Sequence, residues 1–298
     1  MNNKKVTSKN YRAFALVLLT VVYGFNFIDR QIVGILAPFI QEDLGLSNTQ
    51  LGLLIGFAFA LFYTVIAIPI AWLADRYNRV NILSIALATW SGFTALTGMA
   101  TNFWQIGLAR MGIGEAGGSP PSHSIISDMY PKEERAGALG VYAMGIPFGI
   151  MAAYFATASL MGSGGDVDWR RIFIFLGLTG IALAGIVRLT LREPSRGAME
   201  LDDDVQIAKL PFIESLRSLL KIPAWWAMCF GIAFGSFVSY ASSAFQTKFL
   251  IALDPSFDFK TMVILLGIMN GTTYAGGAFF GARLADKWGA KNLRPYGW

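Results

Sequence analysis

The amino-acid sequence predicts an all-α polytopic membrane protein, and three observations support this fold class. Of the 298 residues, 54% are hydrophobic and only 14% are charged, whereas an ordinary soluble domain has about 25% charged residues. The mean hydropathy is +0.51. Uncharged blocks such as 44–74, 80–109 and 136–165 are longer than the roughly 20 apolar residues with which a helix crosses a bilayer. The alternating ten-residue segments that are typical of a membrane β-barrel are not seen.

Eight spanning helices are predicted in order along the chain. Their approximate limits are 13–38, 50–74, 80–100, 103–127, 137–161, 171–191, 223–250 and 261–284. The first differs from a signal peptide because it continues through Asp29 and Arg30 into further apolar residues and has no small-residue cleavage site. The fourth contains Pro120 and Pro121, so we expect its backbone to be interrupted.

The basic residues indicate the orientation of the spans. Of the 24 Lys and Arg residues, 18 lie on the side of the N-terminus and of every second loop, and three lie on the other side. By the positive-inside rule the N-terminus is cytoplasmic, which predicts a multi-pass protein of the inner cell membrane. The basic residues do not cluster on one face, so the net charge of +5 does not indicate nucleic-acid binding.

The longest polar interval divides the chain into three parts. Residues 193–204 contain Pro194 and end in an acidic run, which is typical of a solvated linker. After Pro211, apolar residues recur at helical spacing, which indicates either a short helix on the membrane surface or an extension of the seventh span. We therefore expect a six-helix N-terminal half at 1–191, a cytoplasmic linker with a short amphipathic helix at 192–222, and a two-helix part of the C-terminal half at 223–298.

The residues that enzymes and metal sites need are scarce. The chain has one Cys and one His, which excludes an internal disulfide and a cysteine cluster for a metal. No nucleophile with an adjacent base is recognisable. We expect no enzymatic activity, no metal and no cofactor.

Charged side chains inside the spans are the candidates for function. At the centre of a bilayer each costs about 2.5–3.5 kcal/mol on insertion scales, unless it is paired or faces a cavity. Asp29 and Arg30 lie in the first span, and Arg110 and Glu115 lie in the fourth. A rise of 1.5 Å per residue puts Asp29 and Arg110 at a similar depth, so a contact between them is geometrically possible, whereas Glu115 lies deeper.

Two interpretations of these charges remain open. In the first, Asp29 and Glu115 relay protons, with Arg110 and Arg30 as counter-charges. In the second, the pairing is static and only neutralises buried charge. Arg110 and Glu115 are five residues apart, about 140° around a helix axis, so one of them can face away from the cavity.

A short phrase occurs twice and carries a family resemblance. Leu73-Ala74-Asp75-Arg76-Tyr77-Asn78-Arg79 follows the second span, and Leu284-Ala285-Asp286-Lys287 follows the eighth. Two copies at equivalent places indicate duplicated halves. The phrase resembles the loop signature of the major facilitator superfamily. The resemblance implies a major facilitator fold with a complete six-helix N-terminal half and the first two helices of the C-terminal half, without the last four helices.

A narrower resemblance is to Spinster-like members of that superfamily, of the bacterial type. It rests on Asn26-Phe27-Ile28-Asp29-Arg30, on Asp75-Arg76-Tyr77-Asn78-Arg79 and on Gly114-Glu115-Ala116. Spinster-like proteins are secondary transporters, some of them of lysolipids, and the resemblance implies proton coupling.

The superfamily resemblance also implies roles for residues outside the charged cluster. Asp75 would dock on the N-terminal end of an eleventh helix, and Arg79 would pair with Asp128 at the end of the fourth span. The residues of this cytoplasmic gate motif are Asp75, Arg76, Arg79, Asp128, Asp286 and Lys287. In the fifth span, Gly140, Gly145, Pro147 and Gly149 resemble the antiporter-type motif incompletely.

These inferences predict a secondary active transporter that moves a small or lipid-like solute by alternating access, coupled to protons. The alternative is a non-transporting membrane scaffold, or a lipid-binding or partner-binding fragment of a truncated transporter. The expected partners are the solute, protons and the lipid bilayer, with no nucleic acid. The sequence leaves the substrate and the oligomeric state open.

Overall fold

The computed structural model describes residues 8–110, 117–162, 166–197, 199 and 212–289. Within these ranges the chain is helical and contains no strand, so the predicted all-α fold is confirmed. The helices are α1 Lys9–Leu44, α2 Asn48–Gly52, α3 Ala58–Arg76, α4 Arg79–Thr97, α5 Phe103–Arg110, α6 Ser119–Met129, α7 Lys132–Ala143, α8 Gly145–Leu160, α9 Trp169–Thr190, α10 Phe212–Leu220, α11 Pro223–Leu253 and α12 Phe259–Gly289. A π-helical stretch, Leu53–Phe57, joins α2 to α3.

Seven helical segments in the described ranges are long and apolar enough to cross a membrane. They are Lys9–Leu44, Asn48–Arg76, Arg79–Thr97, Lys132–Leu160, Trp169–Thr190, Pro223–Ser243 and Phe259–Gly281. They correspond to seven of the eight predicted spans. At the predicted fourth span, α5 and α6 flank residues 111–116. These residues, which include Glu115, lie outside the described part of the chain. Proline in the first turn of α6 is tolerated because the N–H groups there have no helical partner.

Local sequence signals determine where several helices begin and end. The side chain of Ser8 accepts a hydrogen bond from Tyr11 N at the start of α1, and α1 ends at Gly45, whose φ of +61° suits glycine. Ser47 and Gln50 form a reciprocal capping box at α2. Before α12, the hydroxyl and the backbone N–H of Thr261 both donate to Asp258, which lowers the pKa of that carboxyl below its ordinary value.

The helices α1 to α9 pack into one group, with α1 against α8 and α7, and α4 against α9. Since lipid chains are as apolar as leucine, such packing depends on close contact between helices. A Cβ on Gly177 would lie 2.4 Å from Ala95 N, and one on Gly180 would lie 2.2 Å from Ser91 Oγ. These two glycines therefore allow the close approach of α9 to α4.

The bundle has two ends, which we call the N-terminal face, where α1 begins, and the opposite face, where α1 ends. Contacts between residues at the helix ends hold each face together. At the N-terminal face, Tyr11 donates to the carbonyl of Thr190 and Arg12 to the carbonyl of Met129. At the opposite face, Asp43 pairs with Arg170 at 2.7 Å, and Arg170 also donates to the carbonyl of Ala100.

The pair α11 and α12 contacts the α1–α9 group mainly toward the opposite face. An apolar cluster joins them there, formed by Ile35, Ala153, Tyr154, Met262, Val263 and Leu266. Between Pro223 and Ser243 of α11 no residue is buried, and in α12 no described residue is buried after Gly271. The α11–α12 pair is therefore in contact at the opposite face and separate from the α1–α9 group at the N-terminal face.

Candidate functional site: a buried ion pair beside a central cavity

The structure brings Asp29 of α1 and Arg110 of α5 together in the interior of the bundle. Arg110 Nη1 lies 2.8 Å from Asp29 Oδ2, and both side chains are less than 10% exposed. The hydroxyl of Thr94 in α4 donates to Asp29 Oδ1 at 2.6 Å. Sequence reasoning missed Thr94, because an uncharged residue in an uncharged span gives no signal of a buried partner. Removing one charge of such a pair usually costs about 3–5 kcal/mol, because the other charge stays buried.

Arg30 follows Asp29 in α1 but has a different environment. Its guanidinium lies 5.2 Å from the ring centre of Phe27 and 4.6 Å from that of Tyr63. It also donates to the hydroxyl of Tyr240 in α11 at 3.3 Å. Cation–π contacts contribute about 0.5–2 kcal/mol, depending on desolvation. Arg30 therefore joins the α1–α9 group to the α11–α12 pair.

A cavity of about 540 Å³ lies between the two groups of helices. Both Arg30 and Arg110 line it, so the buried ion pair borders the cavity. Its volume is in the range of about 300–1,000 Å³ that small-molecule sites have. The predicted relay residue Glu115 lies outside the described residues.

Polar contacts beyond the cavity join the helices toward the opposite face. Tyr154 of α8, 1% exposed, accepts from Gln31 Nε2 and donates to Gln246 Oε1, each at 3.3 Å. At the end of the bundle, Lys248 Nζ of α11 donates to Gln41 Oε1 at 2.6 Å and to Asn48 Oδ1 at 2.5 Å. Sequence reasoning missed both sets of contacts, because nothing in the chain marks which residues of different spans face one another.

At the N-terminal face, Arg79 is 1% exposed and lies between two carboxylates. It is 2.5 Å from Asp128 Oδ2 and 2.6 Å from Glu193 Oε1. It also donates to Ser124 Oγ at 2.7 Å and to the carbonyl of Pro194 at 2.9 Å. The structure therefore brings Arg79 and Asp128 together and adds Glu193, which lies three residues after the end of α9.

The first residues of the predicted linker, 193–197, bond to the helices although none of them is buried. Arg196 donates to the carbonyls of Ala74, Asp75 and Tyr77, and Gly197 N donates to Asp128 Oδ1 at 3.0 Å. The physical reason is that the last carbonyls of α3 have no partner within the helix, and a guanidinium can bind several of them. Residues 193–197 are thus attached to the α1–α9 group.

The other residues of the gate motif have fewer contacts. Asp75 is exposed, and the guanidinium of Arg76 lies over the ring of Trp72 at 3.9 Å. Asp286 and Lys287 lie in α12 by backbone, and their side chains are outside the described part of the chain.

Two of the glycines in the predicted antiporter-type motif lie where α8 touches α1. A Cβ on Gly145 would lie 2.7 Å from the carbonyl oxygen of Thr20, and one on Gly149 would lie 2.2 Å from that of Gly24. Pro147 between them is buried. Gly140, in α7, has open space around it. Gly145 and Gly149 thus lie in the contact between α8 and α1, whereas Gly140 lies outside it.

The difference in packing between Gly149 and Gly140 gives a prediction with a matched control. Gly149→Ala should lower the thermal unfolding midpoint, measured in detergent micelles, because overpacking against backbone typically costs about 1–3 kcal/mol. Gly140→Ala should leave the midpoint unchanged or raise it, because alanine is the better helix former by about 1 kcal/mol. Equal midpoints for the two variants would contradict the close α1–α8 contact.

Comparison with known proteins shows the family to which the chain belongs. Residues 19–298 match the family model described as Major Facilitator Superfamily. The chain belongs to the Major Facilitator Superfamily. Because proteins of this superfamily are transporters, the prediction that the chain is not an enzyme is confirmed.

Individual relatives confirm the Spinster-like resemblance. An MFS-type efflux pump of Mycolicibacterium smegmatis is 29% identical over 295 residues, which are 96% of this chain and 66% of that protein. Protein spinster homolog 1 of Xenopus tropicalis is 29% identical over 254 residues, 83% of this chain and 47% of that protein.

A solved structure also supports the Spinster-like resemblance. The crystal structure of a bacterial homolog to the human lysosomal transporter Spinster, in an inward-facing and unoccupied conformation, is 36% identical with a TM-score of 0.86. The match covers 96% of this chain and 64% of that one. The chain thus spans less than two thirds of the length of this facilitator structure.

Proposed function

We propose that this facilitator chain acts in the secondary active transport of a small or lipid-like organic solute, coupled to protons, by alternating access. The observation that carries the proposal is the Asp29–Arg110 ion pair at the border of the cavity. Ionisable groups inside a membrane bundle usually mark a substrate or proton pathway. Substrate sites of transporters typically lie between two groups of helices near the middle of the membrane.

The ion pair offers a way to couple protons to an anionic solute. When Asp29 takes up a proton, its carboxyl no longer neutralises Arg110, and a buried cation without compensation is costly. An anion in the cavity would then restore the balance of charge. Protonation and binding of an anionic solute would therefore favour each other.

The contacts between the helices support an arrangement that is open at the N-terminal face. The excess of Lys and Arg in the loops of that face supports a cytoplasmic N-terminus, and hence an inward-facing state in the inner cell membrane. The similar bacterial structure is also inward-facing. In this proposal the solute enters and leaves the cavity from the cytoplasm in the present state.

The gate motif would act when the N-terminal face closes. We assign this role to Asp75, Arg76, Arg79, Asp128, Asp286 and Lys287, together with Glu193 and Arg196. Arg79 and Arg196 attach the loop at 77–78 to the α1–α9 group, which would leave the exposed carboxylate of Asp75 in a fixed position for a partner from the other half.

The proposal is tested by flux into proteoliposomes. A panel of small organic anions and lysolipids is supplied with and without an imposed pH gradient. We expect Asp29→Asn to abolish accumulation driven by the gradient, because position 29 can no longer exchange a proton. The matched control is Asp43→Asn, which changes the exposed acid that pairs with Arg170 at the end of the same helix, and it should keep most of the flux.

Two outcomes would contradict the proposal. Equal gradient-driven flux in Asp29→Asn and in the unchanged protein would exclude Asp29 from coupling. Absence of flux for every solute, together with saturable lipid or partner binding, would favour the alternative of a non-transporting scaffold.

A further inference from the structure

The two walls of the cavity differ in chemistry. The wall from the α1–α9 group carries the charged groups of Arg30 and Arg110 among apolar side chains such as Val33, Ile146 and Ile150. The wall from α11 and α12 presents mainly uncharged hydroxyl and amide groups. Hydroxyl and amide groups on a membrane helix need hydrogen-bond partners, and the contents of a cavity can supply them.

Three serines of α11 line the polar wall at helical spacing. Ser236, Ser239 and Ser243 follow the i, i+3, i+7 pattern, which puts them on one face over a length of roughly 10 Å. Asn270 of α12 lies beside them, and its Nδ2 donates to the carbonyl of Leu266 at 2.9 Å. Its carbonyl oxygen remains as an acceptor.

These serines differ from most other hydroxyl residues of the spans. Thr20, Ser84, Ser122 and Thr272 each donate to the carbonyl four residues earlier, which is the usual way in which a helix satisfies a hydroxyl. Among the residues that the structure describes, the hydroxyls of Ser236, Ser239 and Ser243 make no such bond. They line the cavity as donors and acceptors for its contents.

We propose that the cavity binds a compact polyhydroxylated organic anion, a sugar acid by chemical class. Its carboxylate would lie near Arg30 and Arg110, the two guanidinium groups that line the cavity, since a guanidinium suits a carboxylate bidentately. Its hydroxyl groups would bind the serines and Asn270. This inference rests on the proposed function, because it takes the cavity as the solute site. It narrows the solute to a hydroxylated anion and excludes an acyl chain along the polar wall.

The exclusion of an acyl chain follows from desolvation. A chain lying along α11 would remove water from the serine hydroxyls without offering them hydrogen bonds. A site built to bind hydroxyl groups discriminates strongly against analogues that lack them, because its own polar groups are then left unpaired. The same wall therefore selects for hydroxyls and against lipid tails.

The test is equilibrium binding to the purified full chain in detergent, without a pH gradient. The probes are gluconate, hexanoate, sorbitol and 1-oleoyl-lysophosphatidate. Hexanoate keeps the six carbons and the carboxylate of gluconate without its hydroxyls, and sorbitol keeps the hydroxyls without the charge. We expect gluconate to bind, and hexanoate and sorbitol each to bind at least tenfold more weakly.

Serine variants test the wall itself. Ser239→Ala and Ser243→Ala should each weaken gluconate binding by about five- to tenfold and leave hexanoate binding unchanged. The matched control is Ser242→Ala, one position away on α11 and outside the cavity lining, which should have no effect. Alanine is well tolerated in a helix, so loss of folding does not confuse the comparison.

The results separate this inference from the proposed function. Three results would each overturn the sugar-acid assignment. The first is equal affinity for gluconate and hexanoate, and the second is no gluconate binding at millimolar concentrations. The third is lysophosphatidate binding that is tighter than gluconate binding and unaffected by the serine variants. The two proposals have different readouts, because the preference for hydroxyls is measured at one fixed pH and without flux. Intact coupling with no preference for hydroxyls would overturn this inference alone.

Discussion

Arg79→Ala is expected to lower the free energy of unfolding by about 3–5 kcal/mol, the usual cost of breaking a buried ion pair from one side. Arg79 is 1% exposed and lies within 2.6 Å of carboxylate oxygens of both Asp128 and Glu193. Without the guanidinium, two carboxylates remain close together with no cation between them. The thermal unfolding midpoint in detergent micelles should fall by roughly 10 °C.

The control for this variant is Arg76→Ala in the same loop. Arg76 is exposed and stacks on Trp72, a contact that contributes about 0.5–1 kcal/mol at a surface. The midpoint should therefore change little. If the two variants unfold at the same temperature, Arg79 does not hold the loop, the end of α6 and residues 193–197 together.

The second large effect concerns the Asp29–Arg110 pair. Arg110→Gln alone should destabilise the protein by about 3–5 kcal/mol, because the Asp29 carboxylate loses the guanidinium at 2.8 Å. The double variant Asp29→Asn with Arg110→Gln should recover most of that loss, because neither buried charge is left without compensation. Unfolding midpoints of the single and double variants measure this recovery.

Transport by the double variant distinguishes the two interpretations of the pair. If the pair only neutralises charge, the restored stability should be accompanied by restored gradient-driven flux. If Asp29 carries the proton, the stable double variant should still lack gradient-driven flux. A stable and fully active double variant would therefore contradict the relay. Failure of the double variant to recover stability would show that the two residues are not coupled.

The fold was predictable because lipid imposes a simple rule on sequence. Long apolar stretches, five of them uncharged over more than about 20 residues, identified the seven spans found in the described part of the chain. The cost of charge in lipid identified Asp29 and Arg110 as candidates. The rise per residue then gave their similar depth. The paired prolines gave the interruption in the fourth span, where α6 begins at Ser119.

The parts that were missed depend on which helix faces meet. Thr94 carries no charge, so its bond to Asp29 becomes visible only when α4 lies beside α1. Arg196 follows a proline in a polar interval, and that composition indicates solvation. Its bonds to the end of α3 arise from tertiary contact. The serines of α11 likewise carry no signal in the sequence, and only the structure shows that they line the cavity.

The Lys248 contact has a consequence for how the two ends of the bundle can come apart. Lys248 is held by the neutral amide oxygens of Gln41 and Asn48, whereas Arg79 at the other end is held by the carboxylates of Asp128 and Glu193. A cation that leaves an amide breaks hydrogen bonds only, whereas a cation that leaves a carboxylate also separates opposite charges. Separation of α11 from α1 at the Lys248 end therefore breaks no ion pair at this contact, and occupancy of the cavity or movement of helices can drive it.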